Sequence, residues 1–155
     1  MTAVSTPSIH SSDETRDDRC SLLARADASS LLELADRCLD AAAAADLELL
    51  HAPEIGMIML TVREPVEATR FHLGEVLVTR CEVLHRGERG WAMRMGDDEA
   101  AALAAAILDA ERAAEGPLAG AVDRLCAETA AAAHAAAAAE WADVAPTIVD
   151  FEEMD

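Results

Sequence analysis

Arginine is the residue type in this chain whose spacing could support chemistry. Six of the twelve basic residues, all of which are arginine, fall between Arg63 and Arg94, where they meet five acids. That segment therefore carries a net charge of about +1, against -18 for the whole chain. Clustered guanidinium groups bind phosphate-class anions. The candidate anion-binding residues are Arg80, Arg86, Arg89 and Arg94, and the alternative is a solvated sheet face of mixed charge.

The other reactive residue types form no recognisable motif. The five histidines show no HExxH pairing, and no GxSxG, P-loop or GxGxxG sequence occurs. Asp97 and Asp98 stand where acids start a helix, which accounts for them better than a metal ion does. The four cysteines are far apart and form no CxxC pair, so we expect buried, reduced thiols: Cys20, Cys38, Cys81 and Cys126. We expect no metal site and no cofactor bound by this chain.

The charge of -18 excludes two classes of partner. Nucleic acid and anionic membranes both need clustered cations, and this chain would repel them. No apolar run reaches the length of a membrane span, and the N-terminus lacks a basic start followed by an apolar stretch. We therefore expect a cytoplasmic protein that binds neither nucleic acid nor membrane.

Hydrophobic periodicity predicts an α+β fold with two N-terminal helices, a small, largely antiparallel sheet with hairpins, two long C-terminal alanine-rich helices and an extended tail. We expect disorder over residues 1–12, one domain over 13–145 and an acidic tail over 146–155. The first helix starts near Asp13. The second is capped by Ser29 or Ser30, and its buried stripe comprises Leu31, Leu34 and Cys38 and extends to Ala41 or Ala42.

The middle of the chain favours strands. Leu47–His51 and Gly56–Arg63 read as two strands joined by a turn at Pro53 and Glu54. Residues 57–62 are apolar at every position except Thr61, which predicts a central strand buried on both faces. Glu75–His85, the glycine-containing reversal at residues 86–90 and the segment 91–95 together predict a hairpin.

Helical signals return after the hairpin. Asp97 is predicted to cap a helix with a narrow buried stripe of Leu103, Ile107 and Ala110, beside Leu108, and Gly116 and Pro117 end it. The last helix spans about residues 118–142. Its alanine block, residues 130–139, is either an exposed helix favoured by composition or a smooth face for another helix.

The tail that follows contains exposed apolar residues, which suggest docking on a partner: Ile148, Val149 and Phe151.

Several motifs resemble one bacterial family. FHLGEVLVTRCEV, RGERGWAMRMGDD and the alanine-rich helix after them are similar to the G subunit of the carbon-phosphorus lyase core complex. RCSLLARADASSLLEL and TIVDFEEM extend the likeness over nearly the whole chain from about Arg16. The motif residues are Gly74, Glu75, Gly90 and Gly96. The tail departs from the family pattern, because Glu152 and Glu153 follow Phe151.

The resemblance implies a role in organophosphonate catabolism. In that family the G, H, I and L proteins together convert ATP and methylphosphonate into α-D-ribose 1-methylphosphonate 5-triphosphate and release adenine. It also implies that the I subunit is the chief partner, with H and J in the same complex, and it assigns no catalytic residue to the G subunit. ATP and methylphosphonate are then substrates of the complex.

Three functional hypotheses follow. The first is a structural and activating subunit of this transferase. The second is a chain that contributes arginines to a phosphate-binding site shared with a partner. The third is a free-standing acidic protein-binding module.

Overall fold

A computed structural model describes residues 12–42 and 46–147. They form four α-helices and one three-stranded antiparallel sheet, which confirms the α+β prediction. The strand order is β1-β2-β3, so β2 is central. The elements are α1 (Ser12–Arg25), α2 (Ala28–Asp40), β1 (Leu47–Arg63), β2 (Arg70–His85), β3 (Glu88–Met95), α3 (Glu99–Ala113) and α4 (Ala119–Val144), followed by a short 3-10 helix (Ala145–Thr147).

The two predicted strands before Arg63 are one long strand. β1 continues through Pro53, and its pairing with β2 shifts register between Leu49 and His51 and again between His51 and Glu54. Irregular positions and edge strands accommodate a proline, because its missing N–H breaks no ladder there. The predicted turn at Pro53 is therefore wrong.

The prediction of a central, buried strand over residues 57–62 is also wrong. These residues belong to β1, which lies at an edge of the sheet. Met57 and Met59 are 61% and 55% exposed, although the sequence here is as apolar as a buried strand. Periodicity reports which residues avoid water, but it does not say whether this chain or another surface covers them.

The β2–β3 hairpin is confirmed, and it is tighter than predicted. Arg86 and Gly87 alone form the turn, with φ angles of 52° and 83°. Two consecutive positive φ angles are typical of the type I′ turns that match the twist of paired strands. Gly90, which was predicted within the reversal, instead lies inside β3 and is buried.

Both helix caps lie one or more residues from their predicted positions. Asp27 caps α2, and its carboxylate accepts the Ser30 N–H at 3.0 Å together with both serine hydroxyls. Asp98, not Asp97, caps α3 by accepting the Ala101 N–H at 2.9 Å. Aspartate accepts these N–H groups as well as serine does, so neighbouring candidates compete closely.

Helix α3 is the centre of the core. It is buried on nearly every side, and not along a narrow stripe as predicted, because it packs against the sheet, α1, α2 and α4. Leu103, expected in the stripe, is only half-buried. Leu31, Leu34 and Cys38 of the predicted α2 stripe are buried as expected, but α2 ends at Asp40, so Ala41 and Ala42 lie beyond the helix.

Gly90 shows how closely α3 approaches the sheet. A Cβ atom at Gly90 would lie 1.9 Å from the Ala106 carbonyl oxygen and 2.8 Å from the Ala110 Cβ. Both neighbours belong to the helix, and one is backbone, so neither can move aside without shifting α3. The packing of this layer therefore requires glycine at residue 90.

Gly90→Ala is expected to lower the free energy of unfolding by about 3 kcal/mol or more, because overpacking against backbone displaces the helix. Gly74→Ala is the matched control, since a Cβ at Gly74 meets nothing within 4 Å. Urea denaturation of the full chain measures both. Equal stability of the two variants would contradict the close packing.

Candidate subunit interface

One face of the sheet is covered by α3. Buried residues alternate along β2 and β3, with Cys81 paired to Ala92 and Val83 paired to Gly90. Side chains at alternate positions share a face, so these residues mark the side on which α3 packs. The positions between them face the other way.

The opposite face carries many apolar side chains, and the described residues cover it only in part, beside α1. An open cleft of about 810 Å³ runs between this face and the side of α1. Its apolar lining comes from all three strands and comprises Ile58, Leu60, Val76, Val78, Trp91, Met93 and Met95. Trp91 and Met95 are 41% and 77% exposed. An apolar surface of this kind is typical of a protein interaction site.

The apolar surface extends onto a projecting ribbon, which we call the arm. The arm consists of residues 56–63 of β1 and 70–77 of β2, joined by the loop 64–69. It reaches past the core sheet because β3 pairs only with Val78–His85. Both faces of the arm are exposed and apolar, and its exposed residues include Met57, Ile58, Met59, Leu60, Phe71, Leu73 and Leu77. Two-stranded ribbons are marginal alone in water, so such an arm needs a surface to pack on.

Two of the four candidate arginines form surface ion pairs. Arg80 donates two hydrogen bonds to Glu54, from Nε at 3.0 Å and Nη2 at 2.9 Å, and its Nη2 also lies 2.8 Å from His51. Arg89 pairs with Glu82 at 2.7 Å across β2 and β3. Both pairs are well exposed, and such pairs contribute little to stability.

Arg86 belongs to a buried cluster instead. Its Nε donates to the Glu111 carboxylate at 2.8 Å, and the same oxygen accepts from His85 Nε2 at 3.1 Å. The Leu118 N–H donates to the other oxygen at 2.9 Å. His85 and Glu111 are fully buried, and His85 Nδ1 has no partner among the described residues. Burial alone would raise the pKa of Glu111, but these donors lower it below its ordinary value.

Arg94 ties α1 to the sheet. Its guanidinium donates to the carbonyl oxygens of Leu23 at 2.6 Å and Ala26 at 3.0 Å, at the C-terminal end of α1. Burial lowers the pKa of Arg94 from its ordinary value. The four arginines therefore all have partners within the chain, and they serve four different contacts. The shared anion site that they were predicted to form stays a prediction.

A second buried carboxylate was missed by sequence reasoning. Asp109 of α3 is fully buried, and it accepts hydrogen bonds from Arg16 at 2.9 Å, Arg19 at 2.8 Å and the Trp91 N–H at 3.1 Å. The hydrogen bond to Asp109 raises the pKa of Arg16. The sequence signal for this cluster is the segment ILDAE, in which two acids interrupt an apolar helical run. Acids in a buried helix need hydrogen-bonding partners, so the segment indicates a buried polar cluster.

The motif residues have different surroundings. Gly74 and Glu75 lie on the exposed arm, opposite Leu60 and Met59. Gly96, with a φ of 95°, joins β3 to α3, and its carbonyl accepts the Thr79 hydroxyl at 2.8 Å. The predicted interface residues Ile148, Val149 and Phe151 lie outside the described residues, as does most of the predicted disordered N-terminus.

The thiols suit structural roles. Cys38, Cys81 and Cys126 are buried and free, as predicted, and Cys20 is half-buried. Burial raises the pKa of Cys20 to about 11 and that of Cys38 to about 12. A thiol with so high a pKa is a poor nucleophile at neutral pH. Over residues 12–42 and 46–147, no group of three His, Cys, Asp or Glu side chains is placed to hold a metal ion.

The α4 side chains from Ala130 onward are almost all exposed, and Trp141 is 61% exposed. Within the part of the chain that the structure describes, no helix is both long and apolar enough to span a membrane.

The fold and surface define a small α+β protein whose sheet is covered on one face and, among the described residues, largely uncovered on the other. A family model described as phosphonate metabolism protein PhnG matches residues 14–155. The chain belongs to this family, which gives it a role in phosphonate metabolism. No curated protein matches the chain.

Arg86→Ala is expected to lower the free energy of unfolding by about 2 kcal/mol, since it removes a charged donor from the buried Glu111. Arg89→Ala, which breaks an exposed pair on the same hairpin, is expected to cost less than about 0.5 kcal/mol. Thermal and urea denaturation compare the two. If both variants were as stable as the parent, Arg86 would be free to bind a ligand.

The Glu111 cluster also predicts a dependence on pH. The folded-state pKa of Glu111 lies below the ordinary value of 4.5, so its ionised form stabilises the fold above that pH. This contribution is lost as the pH falls through the folded-state pKa. Glu111→Gln is expected to lose about 3 kcal/mol at neutral pH.

The Glu111→Gln variant should then show a smaller loss of stability than the parent between roughly pH 6 and pH 3. The exposed Glu115→Gln variant serves as the control and should follow the parent curve. Parallel curves for the parent and Glu111→Gln would contradict the lowered pKa of Glu111.

Proposed function

We propose that this chain is a supporting subunit of the carbon-phosphorus lyase core complex, and that the arm and the uncovered sheet face dock on the I subunit. The complex forms α-D-ribose 1-methylphosphonate 5-triphosphate from ATP and methylphosphonate in the cytoplasm and releases adenine. The chain stabilises and activates its partner, and the bond-making residues and any cofactors belong to other subunits. The family match supports a place in phosphonate metabolism, and the exposed apolar surface supports the role of a subunit that docks on a partner.

The arm is the observation that carries this proposal. Its apolar side chains are exposed on both faces, yet their composition is that of a buried strand. Burying them against a partner would remove an apolar surface from water and stabilise a ribbon that has no third strand. The uncovered sheet face beside it would extend the same interface.

The described side chains supply no competing reaction centre. The buried acids Asp109 and Glu111 are held by arginine, histidine and backbone donors inside the protein. The candidate arginines also have internal partners. These contacts support an assembly role over an independent enzyme, and the arm disfavours a free-standing module because an isolated chain would leave it exposed.

The test replaces exposed apolar residues and measures assembly with the I subunit. Met57→Ser combined with Met59→Ser is expected to weaken binding at least about tenfold, because two apolar contacts are lost at the interface. Leu32→Ser combined with Leu39→Ser removes two exposed leucines from α2 and serves as the control. Co-expression, size-exclusion chromatography and titration of the purified subunits provide the measurement.

Two outcomes would count against the proposal. Separate elution of the unmodified chain and the I subunit would remove the proposed function itself. Co-elution with unchanged affinity for the Met57 and Met59 variant would keep the subunit role but exclude the arm as its docking surface.

A further inference from the structure

Two arginines at the end of the arm are paired with each other across the ribbon. Arg63 and Arg70 are direct partners in the antiparallel register of β1 and β2. They form the last pair of the ladder before the loop, where the Glu64 N–H donates to the Thr69 carbonyl at 2.9 Å. Directly opposed residues point to the same face, with Cβ atoms about 5 Å apart. Two positive side chains thus project together from the tip.

Neither arginine has an acidic partner among the described residues. Both are exposed, and no described residue forms an ion pair or side-chain hydrogen bond with them. The nearest acid in sequence, Glu64, is occupied elsewhere, because its carboxylate accepts the N–H groups of Val66 and Glu67 within the loop. Arg63 and Arg70 therefore differ from Arg80, Arg86 and Arg89, each of which pairs with a carboxylate.

Such an arrangement is unfavourable without a ligand. Like charges placed directly opposite each other destabilise a strand pair. None of the described acids lies where it would offset the two positive charges. An anion bound between the two guanidinium groups would attract both of them and so offset their mutual repulsion. A phosphate-class dianion suits the pair better than a single carboxylate, because its two charges match two arginines and its oxygens accept from both.

We propose that Arg63 and Arg70 form a cross-strand clamp for a phosphate or phosphonate dianion held by the partner subunit. When the apolar arm packs on its partner, the clamp at the tip reaches the ligand and contributes to its binding, but not to bond making. The proposal rests on the proposed function, since the arm must be docked. It moves the shared anion site from Arg80, Arg86, Arg89 and Arg94 to the two arginines that oppose each other at the tip of the arm.

The experiment uses the assembled complex and measures adenine release while ATP and methylphosphonate are varied separately. Arg63→Ala combined with Arg70→Ala is expected to raise KM for one of these substrates about tenfold to a hundredfold, with co-elution unchanged. The substrate whose KM rises identifies the bound group as the triphosphate or the phosphonate. Lysine at both positions should give an intermediate KM, because lysine keeps the charge but loses the planar fork.

The control removes the same charge from elsewhere on the surface. Arg37 lies on α2 and Arg124 on α4. Replacing both with alanine should leave both KM values within about twofold of the parent. An unchanged KM in the Arg63 and Arg70 variant would overturn the clamp. So would weakened assembly with normal KM once the complex has formed, which would assign the arginines to partner carboxylates. Failure of the unmodified chain to assemble would instead overturn the proposed function.

Discussion

The close contact between α3 and β3 at Gly90 is the constraint on which the rest of the structure depends. Because no Cβ fits between Gly90 and the α3 backbone, the helix approaches the sheet closely, and it does so with alanine on its surface. The approach also carries Asp109 and Glu111 into the interior. There they anchor α1 through Arg16 and Arg19, and the hairpin turn through His85 and Arg86.

This packing uses one face of the sheet and leaves the other largely uncovered by the described residues. The same strands that are buried beneath α3 continue outward as the arm, where apolar residues have no covering layer among the described residues. The small core of this chain is built around one helix on one face of the sheet. Few other described residues are available to cover the second face. The uncovered surface therefore agrees with a role completed by another subunit, and the family places that role in phosphonate metabolism.

Structural features that depend on neighbouring residues in the sequence were largely predicted correctly. The β2–β3 hairpin follows from β-rich segments on either side of Gly87, which permits a positive φ angle, and the helices follow from their apolar periods and acidic starts. Features that depend on contacts between distant parts of the chain were predicted less well. The apolar run over residues 57–62 predicts a central strand, and the glycine at residue 90 predicts a turn, but neither prediction holds. In both cases tertiary packing decides the outcome: Gly90 lies against α3, whereas residues 57–62 of β1 lie in the exposed arm.

The sequence by itself determined the fold class, the family and the segment in which positive charge collects. Those properties depend on residue types and short spacings, which a single chain displays directly. Only the tertiary structure decided what each arginine does. Arg86 meets a buried acid from α3 and Arg94 meets the end of α1, while Arg63 meets Arg70 across the ribbon. Pairing partners lie far apart in sequence, so the choice between a structural and a ligand-binding arginine is made by packing and strand register.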